Sequence, residues 1–181
     1  MLFRSADHPA AALSRNLFQL SRLLRAADRD DAIPDSEAAL AALWWDRGGG
    51  ADTQDRNGRL RLLRRAVTDS FTGSADIRFL ADEDAPVAQL VSAESMVEIV
   101  PGERGRFAHD VLRDWAVAGA VGEDLHRLDA MPLSRPISVL HARGVELAAR
   151  RLLETGALNL RDELLGRLTS DRKSTRLNSS H

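Results

Sequence analysis

Few side chains in this 181-residue chain could carry acid–base or ligand chemistry. There is no cysteine, and the five histidines are His8, His109, His126, His141 and His181. Disulfides, thiolate metal sites and cysteine nucleophiles are therefore excluded. No two histidines stand four residues apart around a carboxylate, the spacing that sets two imidazoles on one helix face for zinc. Gly48-Gly49-Gly50 is followed by Ala51-Asp52, where a phosphate-binding loop needs Gly-Lys and a hydroxyl residue for backbone donors, charge and magnesium ligation. The triple glycine reads as a helix stop. Ser74 follows one glycine but lacks a nucleophile elbow. No catalytic signature is complete, and no activity is expected from this chain alone. The most specific stretch is Arg106 to Val117, RFAHDVLRDWAV, where His109-Asp110 opens a helix after a short strand. A carboxylate in a helix's first turn can accept backbone N–H bonds and complement the helix dipole. His109 at that junction can itself be hydrogen-bonded to backbone.

The elements that must position these residues are mostly helical. Leu13, Leu17, Leu20 and Leu24 form one apolar stripe of a helix between Pro9 and Arg25. A second helix is capped by Asp35 or Ser36, turns Leu40, Leu43 and Trp44 inward and stops at the glycines. A third runs from about Gly58 to Phe71, with Leu60, Leu63, Val67 and Phe71 inside and Arg59, Arg61, Arg64 and Arg65 largely outside. Two short helices are expected over 76–95, around Ile77-Phe79-Leu80 and Val87-Leu90-Val91. MVEIV at 96–100, a turn at 101–105 and Arg106-Phe107-Ala108 predict a hairpin. A helix from His109 or Asp110 follows, and this order is that of a winged helix. A long helix from Pro136 to Thr155 and another capped by Asn159, with Leu160, Leu164, Leu165 and Leu168 facing in, suggest the first hairpin of a helical array. The expected fold is mainly α, with a helical lid over 1–57, a winged-helix domain with one β-hairpin over 58–121, and α-helical hairpins over 122–170.

Composition narrows the function. With 44% hydrophobic and 29% charged residues the chain reads as soluble and globular. No apolar run approaches the roughly 20 residues that span a bilayer, and the N-terminus lacks a signal-peptide layout, so no membrane association and a cytoplasmic location are expected. Of the 25 basic residues only Lys173 is lysine, and it lies in the polar segment 171–181, DRKSTRLNSSH. That tail is expected to be disordered, and it resembles a recurrent spurious translation at the ends of metagenomic reading frames, which would end the natural chain near Ser170. Without it the balance is 22 arginines against 26 acids. The candidate recognition helix, Ala85 to Ser95, has no Lys or Arg and follows Asp82-Glu83-Asp84, whereas nucleic-acid binding needs cations against phosphate. A winged-helix DNA-binding regulator is therefore the weaker alternative, beside a plain helical interaction scaffold.

The segment RFAHDVLRDWAV resembles the winged-helix region of STAND NTPases, the NACHT-like signal-transduction ATPases. Ser14 to Leu24, SRNLFQLSRLL, is similar to the segment that follows the ATPase core in that family, with Leu17 where relatives often carry proline, and Ala42-Leu43-Trp44-Trp45 looks like the start of the helical lid. The resemblance implies that His109 contacts the β-phosphate of ADP and holds the resting state, with Asp110 structural. It implies that Asn16 and Phe18 lie near the adenine. ATP or ADP would be bound by the intact parent only. The catalytic half would precede Met1, making the chain the regulatory arm of a larger ATPase, whose partners are its own NTPase core and a protein docked on the helical array. An imidazole suits this role because it can donate a hydrogen bond to phosphate oxygen, with charge assistance when protonated.

Overall fold

Asn16 starts the first helix because its carboxamide oxygen accepts the N–H groups of Phe18 (3.0 Å) and Gln19 (3.4 Å), donors that a helix's first turn leaves unpaired. The computed structural model describes residues 16–27, 33–50, 54–74, 76–130 and 139–177. Helix α1 spans Leu17–Ala27. Its inward residue is Leu23, fully buried, while Leu24 is exposed, so the stripe is rotated by one position from the expected one. Leu13 and the side chain of Leu17 lie outside the described residues. Helix α2, Glu37–Asp46, begins at Ser36, whose hydroxyl accepts the Ala39 N–H at 3.0 Å. Both Trp44 and Trp45 are buried on it.

The triple glycine ends α2 as expected, and its purpose is packing. Gly48 and Gly49 take left-handed φ of 62° and 70°, and their N–H groups reach back to the carbonyls of Trp45 and Trp44. A Cβ on Gly50 would lie 2.7 Å from the guanidinium carbon of Arg59. Arg59, on helix α3 (Arg56–Phe71), is only 2% exposed, in place of its expected surface position. Its guanidinium donates to Gly48 O (3.2 Å), Arg47 O (3.0 Å), Gln89 Oε1 (2.8 Å) and Gln54 O. A charge this deep is tolerable only because fixed carbonyl dipoles replace water at each donor. Periodicity could not disclose it, because the interaction is with backbone far along the chain.

Over 76–79 the expected short helix is instead strand β1, Ile77–Arg78. Ile77 and Phe79 are buried while Arg78 and Leu80 are exposed, a period of two. Helix α4, Asp84–Ser92, follows, then β2, Met96–Val100, and β3, Arg104–Phe107. The three strands form an antiparallel sheet in the order β1-β3-β2, so the predicted hairpin gains a third strand. Helix α5, Asp110–Glu123, leads through a 3-10 segment at Leu125–Ala130 to α6, Val139–Glu154, its most extensive packing partner. Leu147, Ala148 and Leu152 are buried on α6; the side chain of Leu140 lies outside the described residues.

Helix α7 runs Leu158–Leu177. Asn159 lies inside it, one residue past its start, and the first turn is closed by Arg161 N–H on Ala157 O, so the helix begins ahead of the expected cap. Among the described residues of this helix only Leu164 is fully buried, whereas Leu160 and Leu165 are exposed. The helix continues into the tail expected to be disordered, since propagation adds one hydrogen bond per residue without a new nucleus. Residues 178–181 lie outside the described residues. One buried cluster extends from Leu23 to Leu164, and no helix among the described residues is long and apolar enough to cross a membrane. Replacing Arg59 with Met strips three carbonyls and one amide of their donor. Urea unfolding is expected to show a loss of about 3 kcal/mol, and a loss under about 1 kcal/mol would contradict the structural role.

Candidate functional site

His109 is the N-cap of α5. Its backbone is extended (φ −148°, ψ 145°), and its Nδ1 accepts the Val111 N–H at 3.2 Å. The imidazole thus performs the capping expected of Asp110. Asp110 points outward, its side chain 84% exposed, and pairs with Arg113 at 3.2 Å. A ring nitrogen that accepts a backbone N–H is unprotonated, which assigns the remaining proton to Nε2. Nε2–H has no partner among the described residues, and the residue is exposed.

The ring is held from its face as well. Phe18 stacks on it with centroids 4.5 Å apart and planes at 18°. Phe18 also meets Trp115 at 6.0 Å, and Trp115 meets Trp44 edge-on at 6.1 Å. The guanidinium of Arg22 lies 5.2 Å from the Phe18 centroid and donates to Ala93 O (3.1 Å) and Glu94 O (2.8 Å) at the end of α4. Residues 16–22 and 109–115 are far apart in sequence, yet the structure brings Asn16, Phe18 and His109 to one edge. The carboxamide oxygen of Asn16 is committed to the α1 cap, and the Phe18 ring to three protein groups. Arg22 was not singled out by sequence, because an arginine that turns to carbonyls beyond a distant helix leaves no local signal.

The other histidines make no second centre. His141 is buried, edge-on to Phe71 at 5.1 Å, with Nε2 at 3.2 Å from Ser70 Oγ. Ser70 donates its own proton to Val67 O at 2.7 Å, so the imidazole donates to the hydroxyl and cannot serve it as a base. Burial, and secondarily the charge of Arg113, push the His141 pKa below its ordinary 6.5. His126 is exposed beside Asp129 (3.4 Å) and Arg167 (3.1 Å). His8 and His181 lie outside the described residues. Among the described residues no group of histidines and carboxylates could hold a metal ion. No family model, no curated protein and no solved structure matches the chain.

If the cap is what His109 contributes to stability, His109→Ala loses about 1 kcal/mol in urea unfolding and His109→Asn, a good N-cap, restores most of it; equal losses in both would contradict the cap. His141 gives a pH dependence of defined sign. The folded ring binds its proton more weakly than the unfolded one, so the unfolded state takes up more protons as pH falls. Stability is full above the unfolded value of about 6.5 and declines below it. Urea midpoints from about pH 7.5 to about pH 5.5 should fall in the wild type and fall less in His141→Gln.

Proposed function

We propose that this chain is the nucleotide-state-sensing arm of a larger STAND-type ATPase, with His109 as the residue that touches the β-phosphate of ADP. One observation carries the reading: His109 presents an exposed Nε2–H while its other nitrogen and its ring face are fixed by the α5 cap and by Phe18. A donor that faces outward and is immobilised on two sides has the polarity that a phosphate oxygen requires, and little rotamer freedom is left to lose on contact. ADP would supply the anionic oxygen; this chain's residues hold and orient the imidazole. In this reading Asn16 serves by starting α1 and Phe18 by stacking on the ring, in support of a contact near the adenine.

The remaining parts fit a switch. α1 is tied to the strand-bearing region by the Phe18 stack and by Arg22 on the carbonyls of Ala93 and Glu94 just past α4, so loss of the phosphate contact bears on a small set of interactions. Leu153, Leu158, Leu160 and Leu165 are exposed on α6 and α7, in keeping with a protein partner at the helical array. The DNA-binding alternative gains nothing, since α4 has no cationic residue and begins at Asp84. The NTPase core in the same chain, and work in the cytoplasm, belong to this proposal.

Recovering the full reading frame and measuring ADP binding by calorimetry on its product tests the reading. A Gly-Lys-Ser/Thr loop upstream and a weakening of ADP by roughly tenfold or more in His109→Ala are expected, corresponding to the roughly 1.5–3 kcal/mol of a charged hydrogen bond. A frame with no such loop, or unchanged ADP affinity in the variant, leaves His109 as a helix cap in an interaction scaffold.

A further inference from the structure

One carboxylate of the sheet leaves from the face that the fold otherwise buries. Met96 and Glu98 are two residues apart on β2, and their ladder partners, Phe107 and Gly105, are two apart on β3, so both side chains leave the same face. That face looks toward the core: Met96 is buried, and a Cβ on Gly105 would lie 2.4 Å from the Phe79 ring. A period of two therefore leads one to expect an apolar residue at 98. Glu98 stands there instead, and it is exposed. One of its carboxylate oxygens accepts the Gly102 N–H at 2.8 Å, and the other has no partner among the described residues.

Glu98 borders a cavity of about 560 Å³ between the β2–β3 hairpin and α4, which Phe79, Val87 and Val91 also line, together with Asp84 and Ser92. Asp84, Val87 and Val91 follow one another at three and four residues, so they share one stripe of α4 with the carboxylate at its start. Phe79 and Val87 are buried and Val91 is half-buried, while Asp84 and Ser92 are exposed. Asp84 has no hydrogen-bond or ion-pair partner among the described residues. No lysine or arginine among the described residues lines this cavity. Its apolar wall thus carries two carboxylates and no counter-charge.

We infer that this cavity binds a small organic amine, its ammonium facing Asp84 and Glu98 and its hydrocarbon body against Phe79, Val87 and Val91. Apolar cavities of roughly 300–1,000 Å³ with a few polar groups are the sites that hold whole small ligands. Two carboxylates without a cation set the sign of the ligand. The apolar and aromatic wall favours a hydrocarbon cation over a bare metal ion, for which the described residues offer no group of three ligands. Gly102 holds the Glu98 carboxylate in place before any ligand arrives, which lowers the ordering cost of binding. The volume is that of a whole ligand, which favours a free amine over a single lysine side chain inserted by a partner. The inference makes no use of the nucleotide reading, and neither fails with the other.

Calorimetry and amide chemical-shift mapping on the whole chain, with 2-phenylethylamine as the probe, test it. A Kd of about 1 mM or tighter is expected, weakened when salt rises from about 50 mM to about 500 mM, with the largest shifts in α4 and the β2–β3 hairpin. The anion 3-phenylpropionate, a similar hydrocarbon of opposite charge, should bind weaker by roughly tenfold or more. Glu98→Gln together with Asp84→Asn keeps the shape, removes the charge and should weaken the amine by roughly tenfold. Ala88→Trp, at an exposed position lining the cavity, should fill it and abolish binding. Circular dichroism checks that each variant is folded. No binding at about 10 mM probe would overturn the inference and leave Glu98 as an inward-pointing charge that guards an edge strand. Equal binding of the anion, or binding indifferent to both variants, would overturn it as well. Hexalysine that binds far more tightly than the amine, and loses this in the double variant, would assign the cavity to a partner's lysine and overturn the free ligand.

Discussion

The position of every candidate functional residue depends on where the indole of Trp115 is buried. It has no exposure, and it lies on α5 six residues after His109. Its ring meets Trp44 of α2 and Phe18 of α1, and its Nε1–H reaches Glu37 Oε1 at 3.4 Å. Glu37, in the first turn of α2, also accepts Arg143 of α6 at 2.6 Å. One side chain thus joins α1, α2 and α5 directly, and α6 through Glu37. A buried tryptophan of roughly 150–250 Å² dominates its local packing energy, while the need to pair its single N–H restricts the orientation. His109 inherits that orientation, because a rigid helix carries it from Trp115 to the cap.

Two further close approaches keep this frame from sliding. A Cβ on Gly144 would lie 2.6 Å from Val117 side-chain carbon and 2.8 Å from Asp114 O, so α6 crosses α5 where only glycine fits. Arg59 fixes the turn after α2 from below, and Ser95 seals it by donating to Gly49 O while accepting the Trp44 indole Nε1–H at 3.3 Å. Ser95 precedes β2, so the same pair of bonds sets the sheet against α2. The Arg59 guanidinium, the Ser95 hydroxyl and the Trp44 indole N–H are paired here, the condition under which burying them confers a unique arrangement instead of a penalty.

What was legible in the sequence follows from the range of each interaction. The Ser36 cap, the glycine stop, the strand β2 and the start of α5 at His109-Asp110 are written by neighbours within a few residues, and each is found. The errors fall where partners are distant. Arg59 looked like a surface arginine because its acceptors lie on the turn after α2 and on α4. Ile77 and Phe79 looked helical because a two-residue strand is too short to show its period, and only pairing with Arg104 and Gly105 makes it one. Both Trp44 and Trp45 are buried because α5 packs beside α2, which no local pattern announces. For the site, what local pattern could not show is that Phe18 stacks on His109 and that the Asn16 carboxamide is committed to the cap of α1, since the stacked residues are far apart in sequence.

The cap also changes the chemistry that the sequence suggested for His109. Charge assistance to a phosphate needs an imidazolium, with protons on both nitrogens. Nδ1 cannot accept the Val111 N–H once protonated, so the charged ring and the capped helix exclude one another. A neutral ring gives the phosphate a weaker hydrogen bond through Nε2 but keeps α5 intact. In the proposed role the neutral ring makes both contacts together, Nδ1 accepting the Val111 N–H and Nε2–H facing the phosphate. The same ring therefore carries the start of α5 on one nitrogen and leaves the other facing outward, so a change at Nε2 is felt at the helix start through a rigid side chain.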